Sequence, residues 1–441
     1  MTDRTTEPAA VLGTANTTGT IWARWAWVDA AIWTERMLTA LESGVQGSKW
    51  YSLMDKVGSR KTLERAFVQV KANRGAAGID HVTIEEFEQH LEENLEKLVK
   101  ELREGSYRPQ GIRRAWINKL GSKEKRPLGI PTVRDRVVQT VLVNVLEPIF
   151  ERDFAEHSYG FRPKRGCKDA LRRVDDLLQQ GYQWVVDADL KSYFDTIPHP
   201  ELMERVASKI ADGAVLDLIE AFLQAKVMET AKGWIPEQGT PQGAVLSPML
   251  SNLYLDPLDQ EMAAAGYAMV RYADDFVILS RSQAEAGQAL QQVQNWTAQA
   301  GLGLHPDKTR IVDATQPGGF DFLGYHFEQG RKRPRAKSLK KFKDTLRAKT
   351  GRNHGHSLAH IITEVNQTTR GWFEYFKHSH RFTFSSLDGW IRMRLRSLLR
   401  RRQGRKGRGR GLDHNRWPNA FFAEQGLFSL AEAHARARQS S

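Results

Sequence analysis

The tetrapeptide Tyr272-Ala273-Asp274-Asp275 stands between two short apolar runs, residues 267–271 and 276–279. That pattern reads as a strand, a tight turn carrying two carboxylates, and a returning strand. Adjacent Asp side chains repel each other and favour strands poorly, so a chain keeps such a pair most readily where something doubly positive will sit. A second Asp group lies upstream, in Trp184-Val185-Val186-Asp187-Ala188-Asp189-Leu190-Lys191-Ser192-Tyr193-Phe194-Asp195, again at the end of an apolar run. Carboxylates delivered by a strand end and a nearby hairpin suit two Mg²⁺ ions about 3.5–4 Å apart, the arrangement required for in-line nucleotidyl transfer.

These two segments belong to a series of seven blocks. The others are Asn73-Arg74-Gly75-Ala76-Ala77-Gly78-Ile79-Asp80, Arg126-Pro127-Leu128-Gly129-Ile130-Pro131-Thr132, Tyr159-Gly160-Phe161-Arg162-Pro163, Gly239-Thr240-Pro241-Gln242-Gly243 and Phe322-Leu323-Gly324-Tyr325. In this order and spacing the chain resembles the reverse transcriptases encoded by bacterial group II introns, over roughly residues 50–430. Gly371-Trp372-Phe373-Glu374-Tyr375-Phe376 is similar to the maturase (X) region of that family.

The resemblance implies an α+β right-hand polymerase: fingers, a palm with an antiparallel sheet, and an α-helical thumb/maturase domain. The expected divisions are a 1–49 N-terminal extension, 50–182 fingers with an N-terminal RNA-binding segment, a 183–330 palm, a 331–400 helical thumb, and a 401–441 basic linker with a final helix. The reverse transcriptase domain as a whole would run over about 60–330. One Cys and an isolated Asp413-His414-Asn415 predict no His-Asn-His nuclease.

By resemblance Asp189, Asp274 and Asp275 are the catalytic metal ligands, with the Leu190 carbonyl as an extra one, for two Mg²⁺ (Mn²⁺ as a substitute). Asp187 shares a strand face with Asp189, and Asp195 follows the strand end. Phe194 falls where the family carries an aromatic under the nucleotide sugar, where a ring would exclude a 2′-hydroxyl. The resemblance implies that Gln242 packs against the incoming nucleotide and that Lys119 and Arg126 meet its triphosphate. Lys308 is a candidate charge partner near the site. Asn73, Arg74 and Gly75 would lid the template; Phe322, Leu323 and Gly324 would hold the primer end, mostly through backbone. Arg331, Lys332, Arg333, Trp372, Arg392, Arg394 and Arg396 are the expected contacts to template–primer and intron RNA.

Composition adds a polyanion partner. Residues 331–410 carry 24 Lys and Arg against 4 Asp and Glu, a net of +20, which leaves the rest at −7 within the whole chain's +13. So concentrated a basic block, interleaved with Trp372, Phe373, Tyr375, Phe376 and Trp390, points to nucleic acid. One cysteine, Cys167, excludes disulfides within the chain and a Cys-rich zinc motif. The longest apolar stretch, residues 21–33, is interrupted by Arg24 and Asp29, so no membrane span is expected and a bacterial cytoplasmic, nucleoid-associated location is. His354, His356 and His360 have metal-like spacing but no acidic or thiol neighbour in sequence, and read as solvent-facing.

Local patterns predict one amphipathic helix from a Thr83–Glu86 capping box to Gly105, a hairpin over 112–130, a helix over 134–150, and a helix N-capped by Ser247 with Pro248 in its first turn. Residues 400–411, rich in Arg and Gly, read as a flexible linker. The function expected is RNA-directed DNA synthesis on intron RNA with assistance to splicing; its substrates would be deoxynucleotides, an RNA template and a DNA primer or target. A splicing-only maturase, or a related polymerase recruited to host defence or repair, is the alternative. Oligomeric state is not legible in the chain.

Overall fold

The computed structural model describes residues 21–45, 49–118, 125–229, 232–353 and 355–439. Its strands are β1 (Ile112–Asn118), β2 (Lys125–Ile130), β3 (Trp184–Asp189), β4 (Val227–Glu229), β5 (Lys232–Trp234), β6 (Ala268–Tyr272), β7 (Asp275–Ser280), β8 (Arg310–Asp313), β9 (Phe320–Phe322), β10 (Tyr325–Glu328) and β11 (Arg331–Pro334). They form three sheets, ordered β2-β1-β4-β5, β6-β7-β3-β8 and β11-β10-β9. The second is the palm sheet, and each of its pairings is antiparallel.

Side chains alternate across β7, and both faces are covered. Phe276 and Ile278 enter a large core with the helices Val133–Glu151 and Ser247–Ala264, whereas Val277 and Leu279 enter a second core with β9, β10 and the helix Cys167–Gln179. A central strand buried on both faces reads as a continuous apolar run, as residues 276–279 do.

The predicted amphipathic helix is two helices. Thr83 and Glu86 form the capping box, with bonds of 3.1 and 2.8 Å, but the first helix stops at Gln89. His90 leaves the helical region, and the second helix, Leu91–Arg103, starts behind it. The Asn94 amide takes up the freed Phe87 carbonyl at 3.0 Å, which makes the break affordable without losing the stripe of Phe87, Leu95, Leu98 and Leu102. Ser247 also departs from expectation. It sits inside the helix Ser247–Ala264, and its hydroxyl donates to the Pro241 carbonyl at 2.9 Å, tying that helix to the Pro241-Gln242-Gly243 loop.

Beyond β11 the helices Ala336–Lys349, Leu358–Phe376 and Phe382–Arg402 pack a third core around Phe342, Ile361, Phe373, Phe384 and Leu395. The segment after Arg402 is not a loose tail. Trp417, Phe422 and Leu430 return into that core, and the Asp388 carboxylate caps the helix Leu430–Gln439 by accepting from the Leu430 and Ala431 amides at 3.0 Å each. The Trp-rich segment near the start packs on the body, with Trp33 fully buried and its indole donating to the Asn144 carbonyl at 3.1 Å. No helix among the described residues is long and apolar enough to cross a membrane.

Glu147 is a stability liability of this packing. Burial first, and the neighbouring Glu151 second, push its carboxyl up to about 7. A carboxyl raised in the folded state contributes stability that is complete below its unfolded pKa and lost as pH rises through the folded one. Glu147→Gln should therefore raise unfolding free energy by roughly 2 kcal/mol near pH 8 and leave it unchanged near pH 4. Urea unfolding at the two pH values checks this; an equal effect at both would mean the carboxyl is not desolvated.

Candidate active site

The palm sheet brings the two Asp groups together by register. Asp189 pairs directly with Asp275, and Asp275 pairs with Tyr272 across the β6–β7 hairpin, leaving Ala273 and Asp274 as a two-residue turn. Ala273 has φ +59, a left-handed conformation that a non-glycine residue holds only when its surroundings impose it.

Those surroundings are a buried polar network that the sequence reading missed. Arg271 is 1% exposed. Its guanidinium forms a bidentate pair with Asp259, donates to the Asn252 side-chain oxygen at 3.0 Å, and donates to the Ala273 carbonyl at 2.9 Å. Asn252 in turn donates to the Gly160 carbonyl at 2.8 Å. Gly160 lies so close under the turn that a Cβ there would overlap the Ala273 nitrogen. The Tyr159-Gly160-Phe161 block is thus the seat of the Asp-bearing turn. A charged residue inside an otherwise apolar strand was the available signal for Arg271.

Electrostatically the site is short of positive charge. Burial, then the carboxylates of Asp274, Asp187 and Asp189, drive Asp275 up to about 7. Asp274 is raised chiefly by burial, with Asp189 adding and Arg126 and Arg271 opposing. Asp187, Asp189 and Asp275 fall on one face of the sheet, since their positions alternate with Val186, Ala188 and Phe276 of the large core. Two of them have basic partners: Lys308 lies 2.5 Å from Asp189 and Arg310 lies 3.3 Å from Asp187. Asp187 is therefore committed to β8. Asp195 is apart from these groups, its carboxyl raised by burial and opposed by Arg114.

Carboxylate oxygens are the donor type that Mg²⁺ takes. That ion takes one or two carboxylates, with water and substrate phosphates completing its shell, rather than a closed protein cage. Among the described residues no three His, Cys, Asp or Glu side chains form such a cage. Leu190 is buried, and its backbone bridges to Leu304 just past β3.

Around these carboxylates lie the other predicted residues. Tyr193 is anchored through its hydroxyl to the Ser251 carbonyl at 2.6 Å, and Phe194 stands against it edge-on at 5.5 Å. Phe194 lines a cavity of about 520 Å³ with Arg114, Asp195, Trp234, Thr240 and Pro241. Gln242 is held by its backbone, its carbonyl accepting from the Gly129 amide at 2.6 Å, which docks the fingers strand β2 on the palm. Arg126 projects from β2 within electrostatic reach of Asp274. Lys119 lies outside the described residues, as does His354. The His356 and His360 rings lie tilted with centroids 4.5 Å apart, and His360 has an acidic neighbour after all in Glu364 at 4.0 Å, but no metal cluster forms there among the described residues.

The segment expected to lid the template is pinned rather than free. Asn73 ends the helix Arg60–Ala72 and Arg74 is left-handed at φ +48. Arg136 fills the space beside Gly75 and donates to the Ala76 carbonyl at 2.8 Å. On the far side, Leu323 and Gly324 form the β9–β10 turn with φ of +45 and +85, as a two-residue primed hairpin requires. They face a cavity of about 590 Å³ shared with Asp275, Arg335, Lys341 and Trp372, a cleft joining the Asp turn to the thumb.

Several expected nucleic-acid contacts are instead structural. Phe322 is buried in the second core and cannot touch a primer. Arg396 is 3% exposed, with its guanidinium spent on the Trp417 carbonyl and the Asn419 side chain at 2.8 Å each. Arg394 closes the end of the helix Ala336–Lys349 through Thr350 at 3.0 Å, and Lys332 is paired with Asp175. Arg333 is bridged to Glu328 at 2.7 Å, yet it and Arg331 stay exposed, while Arg392 is half-buried. Trp372 stacks on Phe342 at 4.4 Å and borders the cleft.

Residues 117–327 match the family Reverse transcriptase (RNA-dependent DNA polymerase), and residues 339–417 match the Group II intron, maturase-specific domain. Protein YkfC of Escherichia coli (strain K12) is 31% identical over 384 residues, 78% of this chain and 95% of that protein. The Group II intron-encoded protein LtrA of Lactococcus lactis subsp. cremoris is 40% identical over 197 residues, 44% of this chain and 32% of that protein. A solved chain of a partial Cas6-RT-Cas1--Cas2 complex is 26% identical, covers 56% of this chain and 41% of its own length, and has a TM-score of 0.37. The chain belongs to the group II intron reverse transcriptase/maturase family.

Proposed function

We propose that the protein is an RNA-directed DNA polymerase that also binds its intron RNA and assists splicing. The observation that carries this reading is the register pairing of Asp189 with Asp275, with Asp274 on the adjoining turn, at the mouth of a cleft shared with the thumb. Two Mg²⁺ held by Asp189, Asp274, Asp275 and the Leu190 carbonyl would activate the primer 3′-hydroxyl and neutralise charge on the transferred phosphate. The chain's own groups do the rest. Arg126 and Lys119 balance the triphosphate, Gln242 and the loop docked on β2 place the base pair, and Phe194 closes the sugar side. Intron RNA would be met by the basic thumb, whose net charge over residues 331–410 is +20.

Primer extension on an RNA template in Mg²⁺, with deoxynucleotides and ribonucleotides compared, tests the reading. Phe194→Ala should lower the preference for deoxynucleotides by about 10–100-fold while deoxynucleotide extension persists, since a pocket then admits a hydroxyl that it had excluded sterically. Unchanged sugar selectivity would remove Phe194 from the gate. Soluble wild-type protein that binds RNA but extends nothing would leave a splicing-only maturase.

A further inference from the structure

The motif Gly371-Trp372-Phe373-Glu374-Tyr375-Phe376 forms the last turns of the helix Leu358–Phe376, and the function proposed above gives its tyrosine no task. The Tyr375 hydroxyl donates to the Leu323 carbonyl at 2.7 Å, in the β9–β10 turn expected to hold the primer end. The bond is returned. Tyr325, the residue that follows this turn, donates its own hydroxyl to the Tyr375 carbonyl at 2.6 Å. The two rings lie 6.0 Å apart, and Phe376 lies 5.0 Å from Tyr325.

Two further donors reach the same turn: the Arg335 amide meets the Gly324 carbonyl at 2.9 Å, and the Ser338 hydroxyl meets it at 3.3 Å. Tyr375, Arg335 and Ser338 all stand beyond β11, so these carbonyls are held from the thumb side. β9 and β10 belong to a different sheet from the one that carries Asp189 and Asp275. Leu323 is left-handed at φ +45, a conformation that a residue with a Cβ keeps only while its surroundings impose it. Arg335 is also within electrostatic reach of Asp275, and both line the cleft with Leu323, Gly324 and Tyr375. Packing alone does not call for the phenol oxygens, since phenylalanine would fill nearly the same space. Burial, first, raises both phenols above the usual tyrosine range, so each stays a protonated donor to its carbonyl.

The geometry points to Tyr375 and Tyr325 as positioning residues for the primer 3′ terminus. Their two crossed bonds make the helix Leu358–Phe376 set where the Leu323-Gly324 turn lies in the cleft it shares with Asp275. Each phenol acts through the turn rather than on the primer itself. The assignment rests on the polymerase reading above and gives the maturase-like motif a part in DNA synthesis. A terminus displaced by a loosened turn would still bind along its duplex, yet would present its hydroxyl out of line, and misplacement of that kind is costly in rate.

The probe is a DNA primer on a short RNA template, with a fluorescent adenine analogue at the primer 3′ end that is dim when stacked and bright when released. Tyr375→Phe and Tyr325→Phe keep the rings and remove one bond each. Each should lower kcat about tenfold at saturating primer–template, with KM for the deoxynucleotide and duplex affinity by anisotropy within about twofold of wild type. The terminal analogue should be brighter in both variants, in complexes formed without nucleotide. The double variant should lose little more than either single one, because breaking one bond already frees the turn. Unchanged kcat and unchanged fluorescence overturn the proposal and leave the polymerase reading intact. A fall in duplex affinity that matches the fall in kcat, with the terminus still dim, also overturns it, by making the two phenols ordinary thumb packing. If the wild type binds the duplex but extends nothing, the polymerase reading fails; brighter termini in the variants then still sustain the positioning role, and equal termini overturn it.

Discussion

Alanine at Asp274 will reduce RNA-templated extension by at least about 10³-fold, and it will do so without destabilising the protein. The first half follows from the role proposed for the site: a carboxylate holding a cation that neutralises the transferring phosphate would contribute several kcal/mol of transition-state stabilisation, and each 1.36 kcal/mol is tenfold in rate. The second half follows from the electrostatics of the carboxylates themselves. Asp274 is largely buried, and its charge helps push Asp275 up to about 7. Removing one of the mutually repelling carboxylates relieves repulsion on Asp275, so thermal unfolding should be unchanged or slightly later. Loss of activity with retained stability separates a metal-holding role from a merely structural one. Extension within tenfold of wild type would exclude Asp274 from the chemistry.

Asp259→Ala will do the opposite, lowering stability by about 3–5 kcal/mol because it leaves the Arg271 guanidinium buried without its counter-ion. The pair is 1% and 5% exposed at its two side chains, so water cannot make good the loss. Arg271 also holds the Ala273 carbonyl and, through Asn252, the Gly160 carbonyl, so the same change should loosen the turn that carries Asp274. Adding Arg271→Met to Asp259→Ala should recover much of the stability, since replacing a whole buried pair by apolar volume is far cheaper than breaking it. Activity should not recover with it, because the tie to Ala273 stays lost. Urea unfolding and primer extension on the single and double variants decide; a single-variant cost under about 1 kcal/mol would mean the pair does not brace the turn.

The strands, the Asp-bearing hairpin and the basic thumb were legible because each is written locally. A run such as residues 276–279 flanked by turn chemistry specifies a strand wherever it sits. What was not legible is what faces what. Asn252 and Asp259 share a helix face by their spacing, but no local pattern says that the face lies over Arg271. Arg396 stands in a basic run and is buried only because Trp417 and Asn419 return to it from beyond Arg402. Phe322 belongs to a motif whose next two residues turn outward while it turns inward, a distinction set by β9 register. The break at His90 depends on Asn94 being free to replace one backbone bond. Membership of a motif names the neighbourhood of a residue; packing decides whether its side chain or its backbone meets the ligand.

The direct pairing of Asp189 with Asp275 would make the proposed DNA synthesis a sensitive reporter of strand alignment. A slip of one residue between β3 and β7 would turn every side chain of one strand to the opposite face, moving a carboxylate into the large core and a valine into the cleft. Beyond Asp275 the strand β7 is apolar on both faces, so a sheet in which it had slipped would still bury most of its hydrocarbon and still look largely folded by circular dichroism. Recombinant material can therefore be well dispersed, helical and inert. Quality control for this protein belongs with active-site titration per mole of chain rather than with solubility or melting temperature.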